Sequence, residues 1–260
     1  RKNIIIILIV ILFLFIGFNI WNNRKIDLVS YQVENLRIPK TFNEYRILQL
    51  SDIFGKNFGK KNKVLLEEID LRQPDIVVLS GNIIDREGDY KAYLLNLKEN
   101  IKKPIYYVFG DEEFSLADKD QKELIKFLDD NNIYLINSKK VSLMSGGENI
   151  YLYGSNQDLR DYAYNFKDDK SKSRITNSGL KNDSKDFNIM ISHNPDYVNV
   201  YSKENYNLML GGLKTGGIAR LPLVGGLIKP KNANNLAYDG GKYWVDDTLL
   251  IVSKGLSTNR

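Results

Sequence analysis

The chain has 260 residues, with 37 basic against 32 acidic side chains for a formal charge of +5, no cysteine and a single histidine. Without cysteine there can be no disulfide, zinc-thiolate site or cysteine nucleophile, and with His193 alone no mechanism that needs two imidazoles can run within one chain. The basic residues are spread along the sequence rather than gathered in one block, so no nucleic-acid partner is expected.

In chain order, residues 4–21 come first, an apolar run of about 18 residues interrupted by little more than Gly17 and Asn19. Arg1, Lys2, Arg24 and Lys25 border it. This predicts a transmembrane helix, and the absence of an Ala-x-Ala pattern favours an uncleaved anchor over a signal peptide. The expected layout is an anchor at 1–24, a connector at 25–45 with a possible first strand at 29–33, and one domain at 46–260. The partner of residues 4–21 is then the lipid bilayer.

Residues 46–50 read as a short buried strand that delivers Ser51-Asp52 to a sheet edge. Apolar Val64, Leu65, Ile69 and Leu71 predict a helix over 61–72, which Pro74 stops. The cycle then repeats. Residues 75–80 form a second buried strand ending in Gly81-Asn82, residues 90–101 a helix closed by Pro104, and 105–109 a third strand ending in Gly110-Asp111. A helix over 119–131 presents Leu124, Phe127 and Leu128 on one face, and short strands follow around 133–136, 141–143 and 150–153. Residues 162–186 are almost wholly polar and read as a solvated excursion. Order returns with a strand at 187–191 ending in Ser192-His193-Asn194-Pro195, then 208–210 before a glycine-rich loop, and finally 242–245 and 248–252.

Helices between buried strands predict an α/β protein with parallel strands, and the later short strands a mixed second sheet. Ligands in such sheets gather beyond the carboxyl ends of the strands. The positions that matter are therefore Asp52, Asn82, Asp111, His193 and the loop 211–217.

Five segments lie at these tips: Leu48-Gln-Leu-Ser-Asp-Ile-Phe54, Pro74-Asp-Ile-Val-Val-Leu-Ser-Gly-Asn-Ile-Ile-Asp85, Val108-Phe-Gly-Asp-Glu-Glu113, Ile191-Ser-His-Asn-Pro-Asp196 and Leu210-Gly-Gly-Leu-Lys-Thr-Gly-Gly-Ile-Ala-Arg-Leu-Pro222. Together and in this order they resemble the signature blocks of the calcineurin-like metallophosphoesterases, most closely the branch tethered by an N-terminal membrane helix. The resemblance implies a two-sheet mixed β-sandwich flanked by helices. It also implies two divalent metals bridged by an aspartate and a hydroxide that attacks phosphorus, since paired ions both generate the nucleophile and neutralise the phosphate oxygens.

Carried over position by position, the resemblance makes Asp52 the first aspartate ligand and His193 a ligand histidine. The histidine after the first aspartate is replaced by Phe54, and the bridging aspartate by Asn82, a neutral amide. The asparagine ligand of the third block is Asp111 and its catalytic histidine is Glu112, the one candidate general acid. The two histidines of the last block are replaced by Leu213 and Thr215, although Gly212, Gly216 and Gly217 keep the loop's backbone. What this implies is no ordinary dinuclear centre. The cofactor is either none or one divalent cation (manganese, magnesium or calcium) held by Asp52, Asn82, Asp111 and His193, whose oxygen-rich shell suits hard cations.

The plainer uses of the same residues are a hydrogen-bonded structural histidine, aspartates capping the helices that follow, and Glu112 and Glu113 as solvated loop side chains. The expected function is a pseudoenzyme or strongly impaired phosphohydrolase, and the alternative is an active phosphoester hydrolase with a single or rearranged metal site. A purely structural tether would instead have side chains filling the space between Asp52 and His193. A phosphorylated ligand or a protein partner fits the first reading, at a cell membrane crossed once with the domain on the extracytoplasmic side. The family generally adds further strands after the segment ending near Ser257, so the expectation is either that the given sequence is a fragment or that its second sheet has lost an edge.

Overall fold

The computed structural model describes residues 26–85, 87–155, 182–183, 185–212, 220–221, 225–226 and 238–257. The predicted strand-helix cycle is present as β1 (Ile47–Leu50), α1 (Lys63–Arg72), β2 (Ile76–Ser80), α2 (Tyr90–Asn100), β3 (Ile105–Val108), the short α3 (Asp111–Phe114), α4 (Asp118–Asp130) and β4 (Tyr134–Leu135). The four strands pair in parallel in the order β1-β2-β3-β4. Local chemistry sets the helix ends. Asp89 caps α2 by accepting from the Ala92 N–H at 3.0 Å, and α1 ends at Gln73 in the left-handed region, directly before Pro74.

The second layer comprises β5 (Lys140–Ser145), β6 (Glu148–Gly154), β7 (Asn188–Ser192), α5 (Val198–Tyr201), β8 (Leu208–Gly211), a small ribbon of β9 (Arg220–Leu221) with β10 (Gly225–Gly226), β11 (Gly241–Val245) and β12 (Thr248–Val252). Its main sheet runs β11-β12-β8-β7-β6-β5, with β6, β7, β8 and β12 parallel and the two edge strands antiparallel. This is the expected mixed sheet.

Three apolar layers follow from the period-two alternation of the buried strands. Ile76 and Val78 of β2 face Ile189 and Ile191 of β7 between the sheets, in one cluster with Val108, Leu152 and Leu210. Val77 and Leu79 face the helices beside Leu65, Leu94 and Leu124. On the outer face of the second sheet, Met190, Met209 and Leu250 pack under Tyr197, Tyr201 and Tyr206. Both sheets send the carboxyl ends of their parallel strands to the same end of the sandwich. There the side-chain amide of Gln49 on β1 reaches Gly211 O of β8 at 2.7 Å, and Leu256 N reaches Ser51 O at 3.1 Å.

Two expectations need correction. Residues 29–33 form no strand but an extended strap, with only Val33 turned into the inter-sheet core. Neither sheet pairs with this segment, and Leu256 and Ser257 donate to Ser51 O and Asp52 O just beyond β1. The other concerns Glu113, which the fold buries instead of leaving in solvent. Among the described residues no helix is long and apolar enough to cross a membrane, and the run at 4–21 lies outside them. Most of the polar stretch 162–186, and Leu213 and Thr215 of the glycine-rich loop, also lie outside the described residues.

Candidate functional site

Tight turns after β1 and β2 bring the first two strand tips together. Asp52, Phe54 and Asn82 all have positive φ, at 53°, 52° and 54°. For Asp and Asn this conformation costs little, but for Phe54 it is strained. Backbone bonds hold the turns in register: Asp52 N donates to Gly81 O at 3.0 Å, and Ile53 N and Phe54 N both donate to Asn82 O at 2.8 and 2.9 Å. The first two tips are thus zipped into one unit, which explains how a bulky Phe54 is held in the left-handed region.

At the centre lies the side chain of Asn82, 1% exposed, between Asp52 and His193, which are 2% and 1% exposed. Its Nδ2 donates to Asp52 Oδ1 at 3.1 Å and faces His193 Nε2 at 2.9 Å, while its Oδ1 accepts from Glu112 N at 3.0 Å. Turning the amide over would set Oδ1 against the Asp52 carboxylate and Nδ2 against the Glu112 N–H, so the network admits one orientation. His193 Nδ1 lies 2.9 Å from Ser80 O, a group that can only accept, so Nδ1 carries the proton and Nε2 accepts from Asn82. Burial pushes this imidazole's pKa down. The Asp52 and Asp111 carboxylates, the Ser80 carbonyl and the Glu113 carboxylate outweigh that effect and leave it above the ordinary histidine value. A second proton at Nε2 would face the Asn82 N–H, so His193 charges only if the amide turns and gives up Glu112 N.

Glycines make room for this packing. A Cβ on Gly212 would stand 2.5 Å from His193 Nδ1, and one on Gly110 would stand 2.6 Å from Asn82 N. The glycine-rich loop expected from the sequence therefore begins as a wall against the imidazole.

The residue that the sequence reading missed is Glu113. Far from being solvated, it is 0% exposed. Its Oε1 accepts from Ile83 N at 2.8 Å, Ile84 N at 3.3 Å and the Tyr107 hydroxyl at 2.5 Å, and its Oε2 accepts from Asn82 N at 2.9 Å and Gly110 N at 2.8 Å. One carboxylate thus satisfies the turn after β2 and the start of α3 together. The available signal was Glu113 standing three residues after Gly110, the reach-back half of a capping box. Gln49 was also missed. Its amide donates to Ser80 Oγ at 2.8 Å as well as to Gly211 O, which ties the two sheets together at the residue whose carbonyl meets His193.

The structure brings Asp52, Asn82 and His193 into mutual contact. Asp111 opens α3, and its Oδ1 is buried with no hydrogen-bond partner among the described residues. Glu112 reaches the cluster through its backbone N–H. A bridging ligand between two cations needs a charged oxygen donor, and Asn82 instead turns N–H bonds toward Asp52 and His193. A cation placed there would meet two positive hydrogens. The donors present do not fit a pair of bridged divalent ions. Among the described residues no three of His, Asp and Glu form a set that could hold a metal ion.

Residues 45–221 match the sequence model of the family described as Calcineurin-like phosphoesterase. Among curated proteins the chain is 24% identical over 239 residues to the uncharacterized metallophosphoesterase YkoQ of Bacillus subtilis (strain 168), covering 89% of this chain and 83% of that one. It is 25% identical over 247 residues to the uncharacterized metallophosphoesterase YkuE of the same organism, covering 91% and 80%. Among solved structures it superposes on phosphopantetheinyl hydrolase (PptH) of Mycobacterium tuberculosis with a TM-score of 0.52 at 12% identity, over 82% of this chain and 90% of that one. TT1561 of Thermus thermophilus gives a TM-score of 0.52 at 14% identity, over 82% and 91%. At such identities these two likenesses concern the fold alone.

Proposed function

Because the chain belongs to the calcineurin-like phosphoesterase family, we propose that it is a membrane-anchored member whose metal-dependent phosphoester chemistry is lost or strongly reduced, and that it serves as a binding or scaffold protein at the membrane surface. The observation that carries this reading is the Asn82 amide. It holds Asp52 Oδ1 at 3.1 Å and His193 Nε2 at 2.9 Å with its own N–H groups, so the two retained ligand positions are already satisfied by the chain. The replacement of the other family positions by Phe54, Leu213 and Thr215 points the same way. Anchoring rests on the apolar run at 4–21, and the domain is assigned to the extracytoplasmic side as in the tethered members that the chain resembles.

A second reading has one observation in its favour. Asp111 Oδ1 is buried without a partner among the described residues, as a ligand awaiting a cation would be. That reading is a hydrolase with a single manganese, magnesium or calcium ion on Asp52, Asp111, His193 and a turned-over Asn82. Metal analysis of the purified chain, with turnover of generic phosphomonoester and phosphodiester substrates in added manganese, separates the two. We expect neither bound metal nor turnover. Manganese-dependent turnover that His193→Ala and Asp52→Ala both abolish would overturn the pseudoenzyme reading.

A further inference from the structure

The end of the sandwich opposite the strand tips carries a second concave feature. There β8 and β12 begin and β11 turns into β12, and a groove of about 610 Å³ is lined by the strap at 35–37, the loop at 202–207 and the β11–β12 hairpin. Small-molecule sites span roughly 300–1,000 Å³. Ser202 Oγ donates to Asp246 Oδ2 at 2.7 Å and fastens the loop to the hairpin, while Arg37 N donates to Asn35 Oδ1 at 2.9 Å and sets the turn of the strap.

Trp244 supplies the apolar part of the lining. It pairs with Leu249 of β12, which is buried in the inter-sheet core, so the two side chains lie on one face of the sheet. Because β11 is the edge strand, no further strand extends that face, and Trp244 is left 63% exposed. Its indole makes no hydrogen bond or ring contact among the described residues.

The charged lining is unspent in the same way. The side chains of Arg37, Lys203, Glu204 and Asp247 are exposed and have no ion pair or hydrogen bond among the described residues. With Asp246, three carboxylates line the groove and would repel a phosphate, and the two cations would repel an ammonium group. A neutral ligand with several hydroxyls meets neither obstacle. Its hydroxyls can donate to the carboxylates and accept from the guanidinium and the ammonium, and the C–H face of a pyranose ring can lie flat on the indole.

We infer that this groove binds neutral carbohydrate, with Trp244 as the stacking platform and Arg37, Glu204 and Asp247 as the hydrogen-bonding groups. The site is separate from Asp52, Asn82 and His193 and stands whether or not those residues hold a metal.

Tryptophan fluorescence reads the groove directly, because the chain has two tryptophans and Trp21→Phe leaves Trp244 alone. The full chain with this change is held in phosphatidylcholine nanodiscs, which present no sugar, and titrated with malto-, cello- and chito-oligosaccharides. At least one of the three should shift the emission to the blue and protect Trp244 from acrylamide, with saturation. Calorimetric titration of that sugar should then show binding weaker by roughly tenfold or more in Trp244→Ala and in a double variant with Arg37→Ala and Glu204→Ala, and partial recovery in Trp244→Phe. No response to any of the three at millimolar concentration overturns the inference. So does unchanged affinity in Trp244→Ala, which would place the sugar elsewhere. A blue shift on raising the number of chains per disc without sugar also overturns it, by giving the groove to a second copy of the chain.

Discussion

Glu113→Gln is the substitution that tests the site's construction most directly. Glutamine keeps the shape of the side chain but turns one acceptor into an NH2 donor. With the NH2 at the Oε2 position it confronts the N–H groups of Asn82 and Gly110, which now donate to the carboxylate at 2.9 and 2.8 Å. With the NH2 at the Oε1 position it confronts those of Ile83 and Ile84, now at 2.8 and 3.3 Å. Either way two buried backbone donors are orphaned, at about 1–3 kcal/mol each. Relief of the desolvated charge returns part of this, because a buried ion carries its own penalty. The net expectation is about 3 kcal/mol, or roughly 6–12 °C in Tm for a domain of this size. Thermal unfolding followed by near-ultraviolet circular dichroism measures it, with Glu67→Gln as the control. Glu67 sits in an exposed pair with Lys63, 3.6 Å apart, whose loss should cost well under about 1 kcal/mol. A Tm for Glu113→Gln within about 2 °C of the parent would refute the argument that this carboxylate holds the strand tips.

Asn82→Asp places a carboxylate oxygen where Nδ2 now stands 3.1 Å from Asp52 Oδ1, so it should lower Tm in chelator and recover on adding manganese, which leaves the parent Tm unchanged. Equal Tm values for variant and parent in chelator would count against the amide as a crosspiece. Gly212→Ala should cost roughly 2–3 kcal/mol or more, since its Cβ would fall 2.5 Å from His193 Nδ1 and 2.8 Å from Ser80 O; a melt that matches the parent would show that this wall yields. Alkaline pH supplies a fourth test. Burial, then Asp75 and Tyr106, push Tyr45 up to about 12, and burial also raises Tyr93, Tyr107, Tyr153 and Tyr206. Because the fold favours the neutral phenols, their contribution is intact below the ordinary tyrosine pKa near 10 and is lost as pH rises through 12 and beyond. Tm should therefore fall above about pH 10 together with the rise of tyrosinate absorbance, and a Tm flat to pH 12 would contradict it.

Much of the scaffold was legible because its signals are local. The runs around β2, β3 and β7 are buried on both faces and read as continuous apolar strands, and Pro74 and Pro104 mark where the helices stop. Asp52, Asn82, Asp111 and His193 could be placed at strand tips because each follows such a run. Residues 29–33 misled because alternation is a local signal that fits a strand, while strand formation needs a pairing partner and neither sheet supplies one.

The roles within the site were a different matter. One Glu at 112 and another at 113 look alike in a sequence, and only the convergence of the two tips puts Glu113 under the N–H groups of Asn82, Ile83 and Gly110. Likewise the sequence determined that the bridging position holds an amide, which already excludes a charged bridge between two cations. It could not determine which end of that amide faces Asp52 and His193. Glu112 N decided that, by claiming Oδ1 and leaving Nδ2 to the pair, because hydrogen-bond direction depends on which donors and acceptors the fold brings within reach.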